Sequence, residues 1–226
     1  MDLWKAAVAE LLGTFALCFI GAGAICTNQW TGGELGLLGI AVAHGTVLAV
    51  MVSAMGHISG GHFNPAVTIA VAIARKIEGE RACLYVIAQL AGAAIAGFFL
   101  GVIYPEAVWQ PVHLGTPMLN PSINAVQGTL VEIVLTFFLV MAVFGTAVDG
   151  KGTWNAIGGF GIGTVLIFDI LVGGPLTGAA MNPARAFGPA LVSGMWEYHY
   201  VYWIGPVLGG AMAGLLYTLM FLKKAK

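Results

Sequence analysis

Six apolar stretches, at about 4–26, 35–56, 82–104, 125–148, 155–174 and 199–222, are each long enough to cross a bilayer as a helix. Two more, 64–74 and 182–192, are as apolar but half that length. At 1.5 Å per residue, about ten residues make roughly 15 Å of helix, against a hydrocarbon core of about 30 Å. A chain with this pattern has to place long helices across lipid and fit two stubs among them. Backbone polar groups in hydrocarbon must be satisfied internally, which leaves helices or closed barrels. The blocks are continuous rather than alternating, so a barrel is not expected. Composition agrees: 59% of residues are hydrophobic and 8% are charged, where soluble domains carry about 25% charged residues. The 33 glycines suit closely packed membrane helices.

The formal net charge of -1 suggests no basic surface, and hence no nucleic-acid partner. Cys18, Cys26 and Cys83 lack metal or redox spacing and read as packed small hydrophobes. No metal and no cofactor is expected. Lys5, an apolar run and "GAGA" at 21–24 imitate a secretory leader. Glu10 inside that run argues against cleavage, because it has a counterpart later in the chain.

Eight of the nine cations are Lys5, Arg75, Lys76, Arg81, Lys151, Lys223, Lys224 and Lys226. With six full crossings and both short stretches re-entrant, all eight fall on the side of the two termini. That side is expected to be cytoplasmic, in a multi-pass protein of the cell (inner or plasma) membrane. The ninth cation, Arg185, is left within the membrane region.

The chain also repeats itself. "SGGHFNPAV" at 59–67 echoes "TGAAMNPAR" at 177–185, "GAAIAG" at 92–97 echoes "GGAMAG" at 209–214, and "AELLGTF" at 9–15 echoes "VEIVLTF" at 131–137. The last pair aligns Glu10 with Glu132. Two repeats, about 1–104 and about 123–226, form a single transmembrane domain. Each holds three crossings, an odd number, so the second enters the membrane inverted. A functional site is then expected at the repeat interface near the midplane.

Both half-length stretches open on Asn-Pro-Ala: Asn64, Pro65, Ala66 and Asn182, Pro183, Ala184. Asn is a good N-cap and Pro suits the first helical position. One such tripeptide is weak evidence; two at matching positions are strong. Inversion brings the two half-helices in from opposite faces, so their N-termini meet. Each N-terminus carries roughly +0.5 charge from the aligned peptide dipoles. The two Asn amides add N–H donors. Such a centre favours a neutral molecule with lone pairs and opposes a cation.

These paired boxes, "SGGHFNPAVT", the Arg of "NPARAFGPA", Glu10 and Glu132 resemble the aquaporin, or major intrinsic protein, family across essentially the whole chain. The short termini are most similar to archaeal and bacterial members. The resemblance implies an all-α membrane protein: six tilted transmembrane helices and two re-entrant half-helices in an hourglass. It also implies one pore per subunit of a homotetramer. Its outer selectivity filter maps onto His44, Ile170, Ala179 and Arg185. Strict water channels in the family usually pair an aromatic at position 44 with His at 170. Glycerol facilitators place aromatics at 44 and 179. The set here is similar to one found in plant vacuolar aquaporins, which often pass ammonia, urea or peroxide with water. Ala186 and Ala190, where facilitators usually carry Asp and a cation, favour the water-channel branch. So does Tyr202-Trp203, a pair that also suits plain interfacial anchoring.

Glu10 and Glu132 are read as hydrogen-bonding struts for the two re-entrant loops, since a buried carboxylate needs partners and loop N–H groups need acceptors. Loop carbonyls at Gly60, Gly61, His62 and at Gly178, Ala179, Ala180 would then face the pore. His57 and His62 are read as shaping the inner loop, and Asp169 as pairing locally near the outer mouth. The expected function is passive conduction of water, and of small neutral solutes, with protons and ions excluded. The alternative is a channel mainly for ammonia, urea, peroxide or glycerol. A structural or adhesion role is remote. Catalysis is not expected: the chain shows no Ser/His/Asp set, metal spacing or nucleotide loop.

Overall fold

A computed structural model describes residues 2–152 and 157–222. Lys223, Lys224, Lys226 and the expected start of the fifth crossing at 155 and 156 lie outside them. Six helices are long and apolar enough to cross a membrane. They are α1 (Leu3–Trp30), α2 (Gly36–Ser59), α4 (Gly79–Ile103), α6 (Ala125–Val143), α7 (Phe160–Thr177) and α9 (Val201–Met220). A π-helical turn, Phe144–Val148, extends α6. The two short helices are α3 (Pro65–Ile73) and α8 (Pro183–Ser193). The α4–α6 connection, on the face called outer only as a label, carries the single turn α5 (Glu106–Trp109) and a 3-10 stretch, Gln110–Gly115. Among the described residues there is no strand.

Helix pairs α1–α4, α6–α9 and α2–α7 pack against one another, with α8 on α4 and α3 on α9. Small residues set these approaches. A Cβ at Gly92 would collide with the Leu11 carbonyl, and one at Gly209 with that of Ile133. The α1–α4 and α6–α9 crossings are thus closed by glycines 117 residues apart. Outward faces carry bare apolar side chains; Phe98 is 60% exposed and Val126 70%. Water would not tolerate such a surface, and lipid would. Cys83 belongs to it. Cys18 and Cys26 are buried as expected, whereas Cys83 is exposed beside Ile69, Ile73 and Ile87. With lipid outside, an outward thiol needs no protein packing.

Helices α2 and α7 end alike. Gly60 and Gly178 take left-handed conformations (φ 98° and 79°), and their N–H groups donate to the carbonyls of Gly56 and Gly174. Glycine accepts such a stop without strain. Each chain then passes through further left-handed residues, Gly61 and Phe63 in one loop, Ala179 and Met181 in the other, before the short helix begins. For a side-chain-bearing residue this backbone costs about 1–2 kcal/mol. Something has to hold the loops in it.

Candidate functional site

The holding groups are two carboxylates. Glu10, wholly buried on α1, accepts from Ser59 Oγ (2.6 Å), His62 N (2.9 Å), Phe63 N (2.6 Å) and Gln89 Nε2 (2.7 Å). Glu132, wholly buried on α6, accepts from Thr177 Oγ1 (2.7 Å), Ala180 N (2.9 Å) and Met181 N (2.7 Å). Loop N–H groups that would otherwise be orphaned in the membrane are satisfied in the strained conformation.

Asn64 and Asn182 begin the half-helices. Asn64 Oδ1 accepts from Ala66 N (2.8 Å); Asn182 Oδ1 accepts from Ala184 N and Arg185 N (3.0 and 3.2 Å). Pro65 and Pro183 occupy the first helical positions. The amides reach across the molecule. Asn64 Nδ2 donates to the Met181 carbonyl (2.8 Å), and Asn182 Nδ2 to that of Phe63 (2.9 Å). An amide nitrogen carries two hydrogens. One is committed to the opposite loop, which leaves one per Asn for a guest.

Three cavities lie in series through this centre. The inner one, lined by Gly60, His62, Lys76, Arg81, Val143 and Val148 among others, offers about 480 Å³ to the centre of a water molecule. The outer one, lined by Leu37, Ile40, His44, Met118, Ile170 and Gly178 among others, offers about 290 Å³. The middle one shares His62 and Val143 with the inner and His44 and Ile170 with the outer, yet offers about 20 Å³. By this measure a single water needs about 10–15 Å³. The middle cavity therefore has room for about one water. It is lined by Gly61, His62, Asn64, Ala179, Ala180, Asn182 and Arg185, together with the apolar Leu17, Leu48, Val67, Leu139, Ile162 and Leu166. Of the other loop residues expected along the pore, Gly60 lines the inner mouth and Gly178 the outer one.

His44, Ile170, Ala179 and Arg185 come together where the middle cavity meets the outer one, each at most 3% exposed. Arg185 Nη1 donates to the Gly115 carbonyl (2.7 Å), Nη2 lies 3.3 Å from His44 Nε2, and Nε has no partner. His44 Nδ1 is 2.9 Å from the Ile40 carbonyl. A carbonyl can only accept, so Nδ1 carries the proton and Nε2 accepts from Arg185. The ring fits because α1 has Gly21 opposite, where a Cβ would strike the imidazole.

Several of these partners were not anticipated from sequence. Gly115 sits in an outer connection without periodicity, and nothing local marks its carbonyl. Tyr85 and Gln89 offered a signal: two polar-tipped residues one turn apart on an apolar helix, hence sharing a face. Both are wholly buried; Gln89 joins Glu10 to Thr68, and Tyr85 donates to the Ser59 carbonyl (2.8 Å). Tyr202 does not sit at the interface but is wholly buried, donating to the Thr177 carbonyl (2.9 Å). Asp169, expected to pair near the outer mouth, is 2% exposed, and its Oδ2 has no hydrogen-bond partner. Its helix offers apolar neighbours there.

Residues 1–217 match the family profile described as Major intrinsic protein. "Aquaporin TIP4-4" of Zea mays is 46% identical over 96% of this chain and 87% of its own length. The chain belongs to the major intrinsic protein family. Members of this family are channels rather than enzymes. "Lens fiber major intrinsic protein" of Gallus gallus is 42% identical over all of this chain and 84% of its own. "Aquaporin-8" of Notomys alexis is 41% identical over 94% and 80%. These are plant and animal proteins, so the likeness to archaeal and bacterial members inferred from the short termini is not what they carry. The X-ray structure of the aquaglyceroporin from Plasmodium falciparum superposes over 97% of each chain with a TM-score of 0.85 at 24% identity, a likeness of fold.

Proposed function

We propose that this chain is a passive channel that conducts water in single file and excludes protons and ions. The observation that carries the reading is the one-water constriction between two wide mouths, with Asn64 and Asn182 in its wall. Both half-helix N-termini point their partial positive charge at this place, and each Asn keeps one N–H for the guest. Water can donate forward and accept from the Asn pair. A hydrated cation would have to shed its shell against positive potential. Arg185, held beside His44, adds a second, cationic barrier further out. Osmotic shrinkage of proteoliposomes by stopped-flow light scattering tests the function. Permeability equal to that of empty vesicles would overturn it.

A broader solute range is the second reading, and the outer filter favours it. Ile170 and Ala179 are apolar, and the Nε2 lone pair of His44 is taken by Arg185. A filter of this kind discriminates by width more than by hydrogen bonding. Ammonia, urea, peroxide and glycerol uptake rank the candidates.

The same reading makes the chain two inverted repeats in one domain, assembled as homotetramers in the cell membrane with cytoplasmic termini. Lys76, Lys151 and Leu222 line one cleft, which supports gathering the α3–α4 loop, the α6–α7 loop and the end of α9 on one side. Accessibility of engineered cysteines to impermeant reagents tests the orientation. Native mass determination tests the tetramer.

A further inference from the structure

We infer that Tyr202 is a positioning residue for the outer filter, one whose hydroxyl holds Ala179 at the width that selects solutes. The inference rests on the filter reading above. Tyr202 lies in the first turn of α9 among aromatic residues suited to an interface, yet it differs from them. Tyr198 and Tyr200 are 44% and 53% exposed, and Tyr202 is 0%. Burying a phenol hydroxyl is unfavourable unless it finds a partner. Its partner is the carbonyl of Thr177, 2.9 Å away.

Thr177 is the last residue of α7 and the hinge of the filter loop. Its hydroxyl donates to Glu132 (2.7 Å) and accepts from Ala179 N (3.1 Å). Three hydrogen bonds meet on Thr177, one on its carbonyl and two on its hydroxyl, and link Tyr202 to Ala179 and to Glu132. Ala179 is held at φ 47°, a conformation it does not favour by itself. Releasing the hinge carbonyl frees the loop to relax.

The inner loop has the same device. Tyr85, 117 residues earlier, donates to the Ser59 carbonyl (2.8 Å); Ser59 Oγ donates to Glu10 (2.6 Å) and accepts from Gly61 N (3.0 Å). There the support is redundant. Gln89 bonds both Glu10 and Thr68, and Thr68 bonds the His62 ring. At the matching places of the outer half stand Pro206, Ala186 and Ala180. Ala180, Ala186 and Tyr202 pack with Leu119 as an apolar cluster. The polar bracing of the inner loop is thus replaced by packing, and Tyr202 carries more of the outer loop than Tyr85 carries of the inner.

The test compares Tyr202→Phe, Tyr85→Phe, the double variant His44→Ala with Arg185→Val, and the native chain in proteoliposomes. The readout is the ratio of urea or glycerol permeability to water permeability, which channel number cannot alter. Tyr202→Phe should change this ratio roughly fivefold, the factor one net hydrogen bond is worth. Tyr85→Phe should leave it unchanged. Thr177→Val keeps the carbonyl that Tyr202 bonds but removes the hydroxyl that passes its hold on to Ala179 N, so it should reproduce the change if Tyr202→Phe fails to assemble. A native ratio in Tyr202→Phe or Thr177→Val, alongside a changed ratio in the double variant, overturns the inference alone. An unchanged ratio in the double variant overturns the filter reading, and the inference with it. A purely structural tyrosine would lower thermal stability in both Phe variants and move neither ratio.

Discussion

Arg185 and His44 face each other across the outer end of the passage, Nη2 3.3 Å from Nε2, and each is pinned from behind by a backbone carbonyl, Gly115 for the arginine and Ile40 for the histidine. The pair is a bridge rather than two independent groups. Removing both in Arg185→Val with His44→Ala should raise urea and glycerol permeability by at least about tenfold, corresponding to ~1.4 kcal/mol of barrier. It should also admit a proton leak, read with a pH dye in the vesicle lumen. Native selectivity in that variant would dissolve the filter assignment.

Asn64→Asp separates the two tasks of the box. The carboxylate still caps α3, so the fold should persist. The donor to Met181 and the donor left for water are both lost, and a negative charge replaces them. Water flux should fall several-fold and a cation conductance should appear in planar bilayers. Asn64→Ala should instead cost stability, about 1 kcal/mol for the cap alone. Unaltered ion exclusion in Asn64→Asp would refute the central barrier.

Glu132→Leu strands Ala180 N and Met181 N in the interior and takes from Thr177 Oγ1 its shortest partner. At about 1–3 kcal/mol for each unsatisfied group, a loss of ~3 kcal/mol or more is expected in detergent unfolding. Glu132→Gln keeps an acceptor and should lose less. Equal stability of the Leu variant and the native chain would show that the loop does not depend on this carboxylate.

Much of this was legible because the chain states it twice. The six crossings and two stubs lie within about five residues of where apolar length alone puts them, and the Asn-Pro-Ala boxes mark the stub starts without ambiguity. Glu10 and Glu132 stand out since a carboxylate in an apolar block has to meet donors. What could not be read depends on distance through space. No pattern in "HLGTP" tells that the Gly115 carbonyl turns toward Arg185. Cys83 has the same composition cues as Cys18, and only the helix face it occupies makes it outward. Tyr202 was ambiguous because a buried strut and an interfacial anchor begin a helix with the same residues.

Ala179→Cys places a thiol at the narrow end of the outer mouth. The family resemblance implies that this makes water flow mercury-sensitive. The native chain should resist block, because Cys18 and Cys26 are buried and Cys83 faces away from the passage. Resistance in Ala179→Cys would mean position 179 does not border the path.

Asp169 should be dispensable for stability. Its Oδ2 is buried without a partner, so its desolvation is uncompensated. Asp169→Leu is expected to raise unfolding stability by about 1–3 kcal/mol. A marked loss would reveal a partner that Asp169 needs.

The crossed amides also bear on how the molecule is made. The first loop leaves the ribosome more than a hundred residues before the second, and domains form in that order. Until Met181 and Asn182 have been synthesised, the Asn64 amide and the Phe63 carbonyl have nothing to pair with. The narrowest point of the protein therefore sets late. A chain that stops short of it lacks α8 and α9 as well, so an interrupted translation product has no finished conduit with which to breach the membrane's permeability barrier.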